Sequence, residues 1–170
     1  MELFTQELLW VRDIDPHRIA LTSCPPDADS LPAQIEGWKA AGVDVVVSLQ
    51  EPREREARGI SAEPIHCERV GLSFRSFPIR DHDVPTSMED FAAFTRDIHR
   101  EVLAGRALVV HCLAGIGRSG LLTASLLFLM GVPRESIPEI LRQSRGFSMP
   151  QTPEQRQWLE AFYEVLANSR

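Results

Sequence analysis

Residues 107–120 read ALVVHCLAGIGRSG, in which a hydrophobic run leads into a glycine-rich turn. The run from Ala107 to Val110 predicts a buried strand, because short apolar segments with β-branched residues favour strands. The apolar segment from about Arg118 to Met130 predicts a helix that begins directly after the turn. A strand, a short loop and a helix in this order are typical of α/β proteins, whose ligands bind at the carboxyl ends of the strands.

The rest of the chain alternates in the same way between segments that resemble strands and segments that resemble helices. Strands are predicted at 18–23, 44–49 and 72–79, and helices at 30–41, 51–58, 86–104, 135–144 and 152–166. A length of 170 residues suits one domain with a sizeable core. We therefore predict a single α/β domain over residues 1–170, with a mainly parallel central sheet of about four or five strands and helices on both faces.

Composition and charge limit the classes of partner. The net charge is −6 and no basic tract occurs, which argues against a general nucleic-acid or anionic-membrane binder. The longest apolar run, 121–132, is shorter than the roughly 18 residues that span a bilayer. The first ten residues, MELFTQELLW, lack the pattern of a signal peptide, and an odd count of 3 cysteines favours reduced thiols. We expect a cytoplasmic monomer.

The glycine-rich turn has the properties of a phosphate-binding loop. A phosphate monoester is a dianion that repels an anionic nucleophile, so its site must neutralise that charge. Backbone N–H groups of residues 113–118 can point inward, and the helix that follows adds its positive end. Gly115 and Gly117 permit the backbone geometry, and Arg118 can bind two phosphate oxygens at once. The same positive field favours the thiolate of Cys112, which predicts a nucleophile.

Simpler interpretations of the turn are weaker. Cys112 could be a buried apolar cysteine beside ordinary turn glycines, but residues of these types at these spacings arise by chance in about one chain in a million. A zinc site could use the His66–Cys67 and His111–Cys112 pairs together with His82. However, no Cys-x2-Cys or His-x3-His spacing occurs, so we expect neither a metal nor a cofactor.

The leaving oxygen of a phosphoester needs a proton from a general acid. The polar segment DHDVP, residues 81–85, follows a predicted strand and precedes a helix for which Thr86 and Glu89 form a predicted capping box. Asp81 and Asp83 are therefore the candidates, because carboxylates on mobile loops above a site often serve this role. Ordinary turn residues are the alternative interpretation.

HCLAGIGRSG, residues 111–120, resembles the His-Cys-x5-Arg-Ser/Thr motif of the cysteine-based protein tyrosine and dual-specificity phosphatase superfamily. The segments FPIRDHDVP (77–85) and RGFSMPQTPEQ (145–155) are similar to the compact dual-specificity branch that includes the kinase-associated phosphatases. The resemblance implies that family's fold and a two-step reaction through a phosphocysteine.

The resemblance also implies roles for the residues of the motif. Cys112 would be the nucleophile, Arg118 the phosphate clamp, and Ser119 the hydroxyl that helps the thiolate leave. His111 would support the loop from behind rather than act as a base. The residues whose backbone would bind phosphate together with Arg118 are Leu113, Ala114, Gly115, Ile116 and Gly117.

Two further positions take roles from the resemblance. The family pattern places the general acid after a Pro-Ile strand end, which selects Asp81 over Asp83. Gln151, just before the last predicted helix, would orient the hydrolytic water. Its alternative interpretation is a loop amide beside the helix cap formed by Thr152 and Gln155.

The expected substrate is a phosphorylated protein or peptide. Phosphoinositide phosphatases with a similar loop carry lysines where this chain has Leu113 and Ile116, so a lipid substrate is not expected. The Trp-Pro-Asp and Lys-Asn-Arg-Tyr segments of tyrosine-only enzymes are missing, which implies a shallower site. Phosphotyrosine should be accepted, whereas phosphoserine and phosphothreonine are left open. The alternatives are a small phosphorylated metabolite or nucleotide and a non-catalytic phosphate-binding module, although Cys112 and Asp81 argue against the module.

Two other features have less specific interpretations. Cys24 follows a predicted strand and could approach Cys112 closely enough for a protective disulfide, but an inert thiol is the simpler interpretation, as it is for Cys67. The segment 51–58 alternates in charge and predicts a solvated helix face.

Overall fold

The fold is a five-stranded sheet with helices on both faces, in a computed structural model that describes residues 7–168. Residues 1–6 lie outside the described residues. They are part of the N-terminal segment in which the sequence analysis found no signal-peptide pattern. The strands are β1 (Leu9–Trp10), β2 (Ile19–Ser23), β3 (Val45–Ser48), β4 (Ser73–Ser76) and β5 (Leu108–Cys112). The helices are α1 (Leu31–Ala40), α2 (Pro52–Arg58), α3 (Glu63–Arg69), α4 (Met88–Leu103), α5 (Gly117–Leu129), α6 (Ile137–Arg145, after a 3-10 turn at Arg134–Ser136) and α7 (Pro153–Asn168).

The strand order β1-β2-β5-β3-β4 puts β5 at the centre of the sheet. Strands β2, β5, β3 and β4 are mutually parallel, and only the two-residue edge strand β1 is antiparallel. The register aligns Cys112 with Ser23 of β2 and His111 with Ser48 of β3. The carboxyl ends of three neighbouring strands therefore meet at the glycine-rich turn, and the predicted α/β architecture is confirmed.

The sheet separates two hydrophobic clusters because successive strand residues point to opposite faces. On β5, Leu108 and Val110 pack on the side of α4, α5, α6 and α7, whereas Val109 packs against α1 and α3. All three side chains are fully buried. A strand that is covered on both faces has a continuous apolar sequence, and this pattern predicted β5.

Helix α5 lies at the centre of the larger cluster. Every residue from Gly117 to Leu127 is buried, so α5 is enclosed on all sides, as expected of a core helix, although Arg118 and Ser119 in its first turn are polar. Packing against α4, α6 and α7 holds α5 in place, together with its end that follows the phosphate loop. Among the described residues, no helix is both long enough and apolar enough to cross a membrane.

Three local predictions were wrong. The Thr86–Glu89 capping box does not form, because α4 begins one residue later, with the Ser87 hydroxyl accepting from the Asp90 N–H at 3.1 Å. Strand β4 is shorter than the predicted 72–79 segment. Helix α3 was not predicted at all, since its seven residues include Pro64 and show little periodicity.

Candidate active site

The phosphate loop, residues 113–116, joins the end of β5 to the start of α5. Its first two carbonyl groups face outward. The Leu113 carbonyl accepts from the Cys24 N–H at 3.2 Å, and the Ala114 carbonyl accepts from Arg145 Nη2 at 2.8 Å and Ser23 Oγ at 3.3 Å. In a planar trans peptide the N–H points opposite to the carbonyl. The N–H groups of Ala114 and Gly115 therefore point into the loop, as binding to an anion requires.

Gly115 is the position at which the loop tolerates no side chain. Its φ is +73°, and a Cβ placed there would lie 2.4 Å from the Thr22 carbonyl oxygen of β2. Both the left-handed backbone and the close approach to β2 therefore require glycine. Gly117 is less restricted, with a virtual Cβ 3.4 Å from the Gln151 Cβ and 3.1 Å from the Gln155 amide.

Cys112 lies at the base of the loop and is only 3% exposed. The Ser119 hydroxyl, one turn into α5, donates to Cys112 Sγ at 3.1 Å. A hydroxyl in this place stabilises negative charge on sulfur, whether in the resting thiolate or in a departing one. The sequence-predicted nucleophile and its predicted hydroxyl partner thus lie in direct contact.

Arg118 is 1% exposed, and its guanidinium is held by several partners at once. Nη1 donates to Glu54 Oε2 at 2.7 Å and to the Ile79 carbonyl at 2.7 Å, while Nη2 donates to Glu54 Oε1 at 2.9 Å. Nη2 also donates to Asp81 Oδ1 at 3.1 Å. The fifth donor, Nε, is buried without a partner among residues 7–168.

Glu54 was not predicted to belong to the site, and the interpretation of residues 51–58 as a solvated face was wrong for this residue. Its side chain is only 20% exposed and forms a bidentate ion pair with Arg118. Glu54 Oε2 also accepts from the Glu51 N–H at 2.7 Å, so it closes the capping box of α2. Alternating charge gave no reason to single out one acid of the segment, because its partner is distant in sequence.

Charge and burial act against each other in this pair. Burial alone would lower the pKa of Arg118, but its hydrogen bonds to Glu54 and the negative charge of Cys112 outweigh that effect and leave the pKa raised. Burial would likewise raise the pKa of Glu54, yet Arg118 and the Glu51 N–H hold it below its ordinary value. The paired, ionised forms are therefore the stable ones at neutral pH.

The two candidate general acids differ in position. Asp81 is half-buried, and its Oδ1 accepts from Arg118 Nη2 and from the His82 N–H at 3.0 Å. His82 has φ +62°, so the loop turns sharply directly after the acid. Asp83 is exposed, and its Oδ1 accepts from the Val84 N–H at 2.8 Å. The structure thus brings Asp81 to the phosphate loop, whereas the recorded hydrogen bond of the Asp83 carboxylate stays within its own loop.

Gln151 and Gln155 bracket the start of α7. Gln151 is exposed and stands beside Gly117 of the phosphate loop. Gln155 is fully buried, and the capping box predicted with Thr152 is formed, with bonds of 3.0 and 3.1 Å. Its Nε2 also donates to the Asp83 carbonyl at 2.9 Å. Gln155 therefore ties the loop that carries Asp81 to the start of α7, a link that no sequence pattern indicated.

His111 lies behind the loop, on the sheet face opposite Cys112. Its imidazole is fully buried, with Nε2 2.6 Å from Glu63 Oε1 of α3 and its ring centroid 5.9 Å from that of Trp38. The ring thus lies on the opposite side of the sheet from Cys112 Sγ, and its supporting role stays a prediction. Glu63 was not predicted.

All three cysteines are buried, and none of them forms a disulfide within residues 7–168. Cys24 directly follows the residue that pairs with Cys112, and burial raises the pKa of its thiol, an effect that Arg58 opposes. Burial also raises the pKa of Cys67, to about 12, so this thiol is protonated at neutral pH. Within residues 7–168, no three His, Cys, Asp or Glu side chains form a group that could hold a metal ion.

Residues 24–132 match the family described as "Polymorphic toxin system, DSP-PTPase phosphatase". The chain belongs to this DSP-PTPase phosphatase family. The matched region contains Cys112, Ser119, Arg118, Asp81 and Glu54, and ends before α6 and α7.

Named relatives of this DSP-PTPase chain are tyrosine phosphatases. It is 34% identical over 103 residues to tyrosine-protein phosphatase non-receptor type 20 of Rattus norvegicus, a match that covers 57% of this chain and 24% of the rat protein. It is 28% identical over 130 residues to protein tyrosine phosphatase type IVA 3 of Homo sapiens, covering 75% of this chain and 69% of the human protein. The chain thus spans about a quarter of the length of the rat relative.

Solved structures of similar fold extend over almost the whole DSP-PTPase chain. A kinase associated phosphatase with its catalytic-site cysteine replaced by serine superposes with a TM-score of 0.88 at 20% identity, covering 99% of this chain and 100% of that one. Tk-PTP in its active form gives a TM-score of 0.73 at 26% identity, covering 92% and 97%. Because the sequence identity is only 20%, the similarity to the kinase associated phosphatase concerns the fold alone.

Proposed function

We propose that the chain is a protein-tyrosine/dual-specificity phosphatase, a phosphoric monoester hydrolase that works through a phosphocysteine on Cys112. The observation that carries this proposal is the contact geometry of four side chains. Ser119 Oγ lies 3.1 Å from Cys112 Sγ, and Arg118, the residue before Ser119, donates from Nη2 to Asp81 Oδ1 at 3.1 Å. A nucleophile, a thiolate-stabilising hydroxyl, an anion clamp and an acid are the groups that this reaction requires.

In the first step, the Cys112 thiolate attacks phosphorus and an S–P bond forms as the P–O bond to the leaving group breaks. Arg118 and the inward N–H groups of the loop bind the phosphoryl oxygens, whose charge is spread in the transition state. Arg118 Nε, buried and without a partner among the described residues, is the donor that remains for this purpose. Asp81 gives its proton to the leaving oxygen.

In the second step, water attacks the phosphocysteine. The Asp81 carboxylate takes a proton from this water while the S–P bond breaks, which releases inorganic phosphate and the Cys112 thiolate. The Ser119 hydroxyl stabilises the departing sulfur. The proposal gives Gln151, whose Cβ lies 3.4 Å from the position of a Cβ on Gly117, the role of orienting this water.

A phosphorylated protein or peptide is the proposed substrate class. Leu113 and Ile116 put apolar side chains on the loop, where a polyanionic lipid headgroup would favour cations. No helix among residues 7–168 offers a membrane anchor that would favour a lipid. We propose phosphotyrosine as a substrate. Whether phosphoserine and phosphothreonine are also hydrolysed is decided by the comparison of peptides described next.

The test compares the wild type with Cys112→Ser on p-nitrophenyl phosphate. We expect the wild type to release phosphate and the variant to be inactive, and equal rates would contradict the enzymatic proposal. Phosphotyrosine, phosphoserine and phosphothreonine peptides, a nucleoside monophosphate and phosphoinositide vesicles are then compared by kcat/KM. A preference for the nucleotide or the vesicles would contradict the proposed substrate class.

A further inference from the structure

Glu63 and His111 form a buried pair across the sheet from Cys112. Both side chains are 0% exposed, and Oε1 of the acid lies 2.6 Å from Nε2 of the imidazole. Glu63 is the first residue of α3, and its helix packs on α1 and β4 on this face of the sheet. The pair is distant in sequence from the Asp81 loop and takes no part in the two chemical steps described above.

Physical chemistry requires the two groups to act together. A carboxylate without water or a partner is strongly disfavoured in a protein interior, and His111 supplies the partner. Glu63 Oε2 and His111 Nδ1 have no hydrogen-bond partner within residues 7–168, so the recorded polar contact of each group is with the other. The separation of 2.6 Å between Glu63 Oε1 and His111 Nε2 is short for a hydrogen bond that involves a ring nitrogen, as in charge-assisted pairs.

The imidazole is connected to the nucleophile through the backbone. His111 directly precedes Cys112, and its carbonyl accepts from the Leu49 N–H at 3.0 Å, which ties the end of β5 to β3. A ring that is free to rotate would allow the last two residues of the strand to shift. A shift of the strand end moves the sulfur relative to phosphorus, and small displacements of a nucleophile lower the rate substantially.

We propose that Glu63 is a positioning residue, which fixes the ring of His111 and thereby the placement of Cys112 under the phosphate. This role rests on the proposed phosphatase function. It predicts an effect on turnover rather than on phosphate binding, because Glu54 holds the binding group, Arg118, independently.

The kinetic test uses three variants. Glu63→Leu removes the acceptor at similar volume, Glu63→Gln retains an acceptor oxygen, and Glu68→Gln changes an exposed acid of the same helix. On p-nitrophenyl phosphate we expect Glu63→Leu to lower kcat by about tenfold or more with KM little changed. Glu63→Gln should keep most of the turnover, and Glu68→Gln should equal the wild type.

A spectroscopic measurement tests the pair directly. A water-excluded bond of this length should give His111 a slowly exchanging, downfield imidazole N–H proton resonance in the wild type, which Glu63→Leu removes. Wild-type turnover in Glu63→Leu, equal losses in the Gln and Leu variants, or no such resonance in the wild type would overturn the proposal. If Glu63→Leu does not fold, the wild-type resonance decides. Failure of the phosphatase proposal would appear separately, as activity in Cys112→Ser.

Discussion

Both oxygens of Glu54 bind the guanidinium of Arg118, at 2.7 and 2.9 Å, and this bond pair fixes the plane of the phosphate clamp. The Ile79 carbonyl accepts from Nη1 as well, and Asp81 from Nη2, so Nε is the donor without a partner among residues 7–168. A planar fork that is aligned before substrate arrives loses less freedom on binding, which is the physical advantage of preorganisation.

Glu54→Gln should weaken this clamp. An amide presents one acceptor and an NH₂ group, which would face the N–H donors of Arg118. We expect kcat/KM for p-nitrophenyl phosphate to fall about tenfold, the scale of a hydrogen bond to a charged group. Glu56→Gln, an exposed acid on the same helix, is the matched control and should leave kcat/KM unchanged. Equal values for the two variants would show that Glu54 does not orient the clamp.

The same pair predicts a pH dependence of stability. The pKa of Glu54 is lowered from its ordinary value of 4.5, so the folded state binds this proton more weakly than the unfolded chain does. The stabilisation is therefore fully present above the ordinary glutamate range and is lost as pH falls through the lowered pKa. The Tm difference between wild type and Glu54→Gln should be constant above about pH 5 and shrink as the solution is acidified below about pH 4. A difference that grows in acid would contradict the pairing.

Asp81→Asn should affect substrates according to their leaving groups. An alkyl phosphate needs protonation of its oxygen, so its hydrolysis should fall about a hundredfold, whereas p-nitrophenyl phosphate, with a good leaving group, should lose less. Asp83→Asn is the matched control, because its carboxylate lies two residues away and is exposed. If Asp83→Asn alone produced this leaving-group dependence, Asp83 would be the acid.

Ser119→Ala should slow the second step more than the first. Loss of the hydroxyl at 3.1 Å removes stabilisation from the departing thiolate, so phosphocysteine should accumulate. Rapid-quench kinetics should then show a burst of about one equivalent of p-nitrophenol, followed by a slower steady rate. Ser125→Ala, which removes a buried hydroxyl bonded to the Leu121 carbonyl on the same helix, should show no change in burst. A burst of equal size in both variants would remove Ser119 from the mechanism.

Gly115→Ala should disrupt the phosphate loop. Gly105→Ala is the control that separates backbone strain at positive φ from a steric clash of the new Cβ. Both glycines have a left-handed φ, +73° and +84°, but only at Gly115 would a Cβ meet backbone, at 2.4 Å. We expect Gly105→Ala to cost about 1 kcal/mol in urea denaturation and to remain active. Gly115→Ala should cost more and lose activity on p-nitrophenyl phosphate. Full activity in Gly115→Ala would mean that the loop can move away from β2.

The sequence predicts best where the determinants are local. The apolar run of β5, the glycines of the turn and the cap formed by Thr152 and Gln155 all lie within a few residues of the features they specify. Strand β1 has only two residues and α3 only seven, so neither shows a periodicity that distinguishes it from a loop.

The partners of the motif residues could not be predicted for a different reason. Glu54 lies 64 residues from Arg118, and Glu63 lies 48 residues from His111. In the sequence, Glu54 and Glu63 resemble the exposed acids beside them. Only the folded structure shows that Glu54 pairs with Arg118 and Glu63 with His111. The choice of Asp81 rested on the segment after a strand end, where parallel sheets gather their ligands, and the structure brings this residue within 3.1 Å of Arg118. Its role as the general acid stays a prediction.

Helix α2 has no buried residue, and Glu54, the carboxylate that closes the capping box of its first turn, is also the one that holds Arg118. The start of an exposed seven-residue helix therefore supports a guanidinium that is only 1% exposed. Unwinding of that first turn would remove both bonds from Arg118 to Glu54 at the same moment, so local melting of α2 would also loosen the anion-binding geometry.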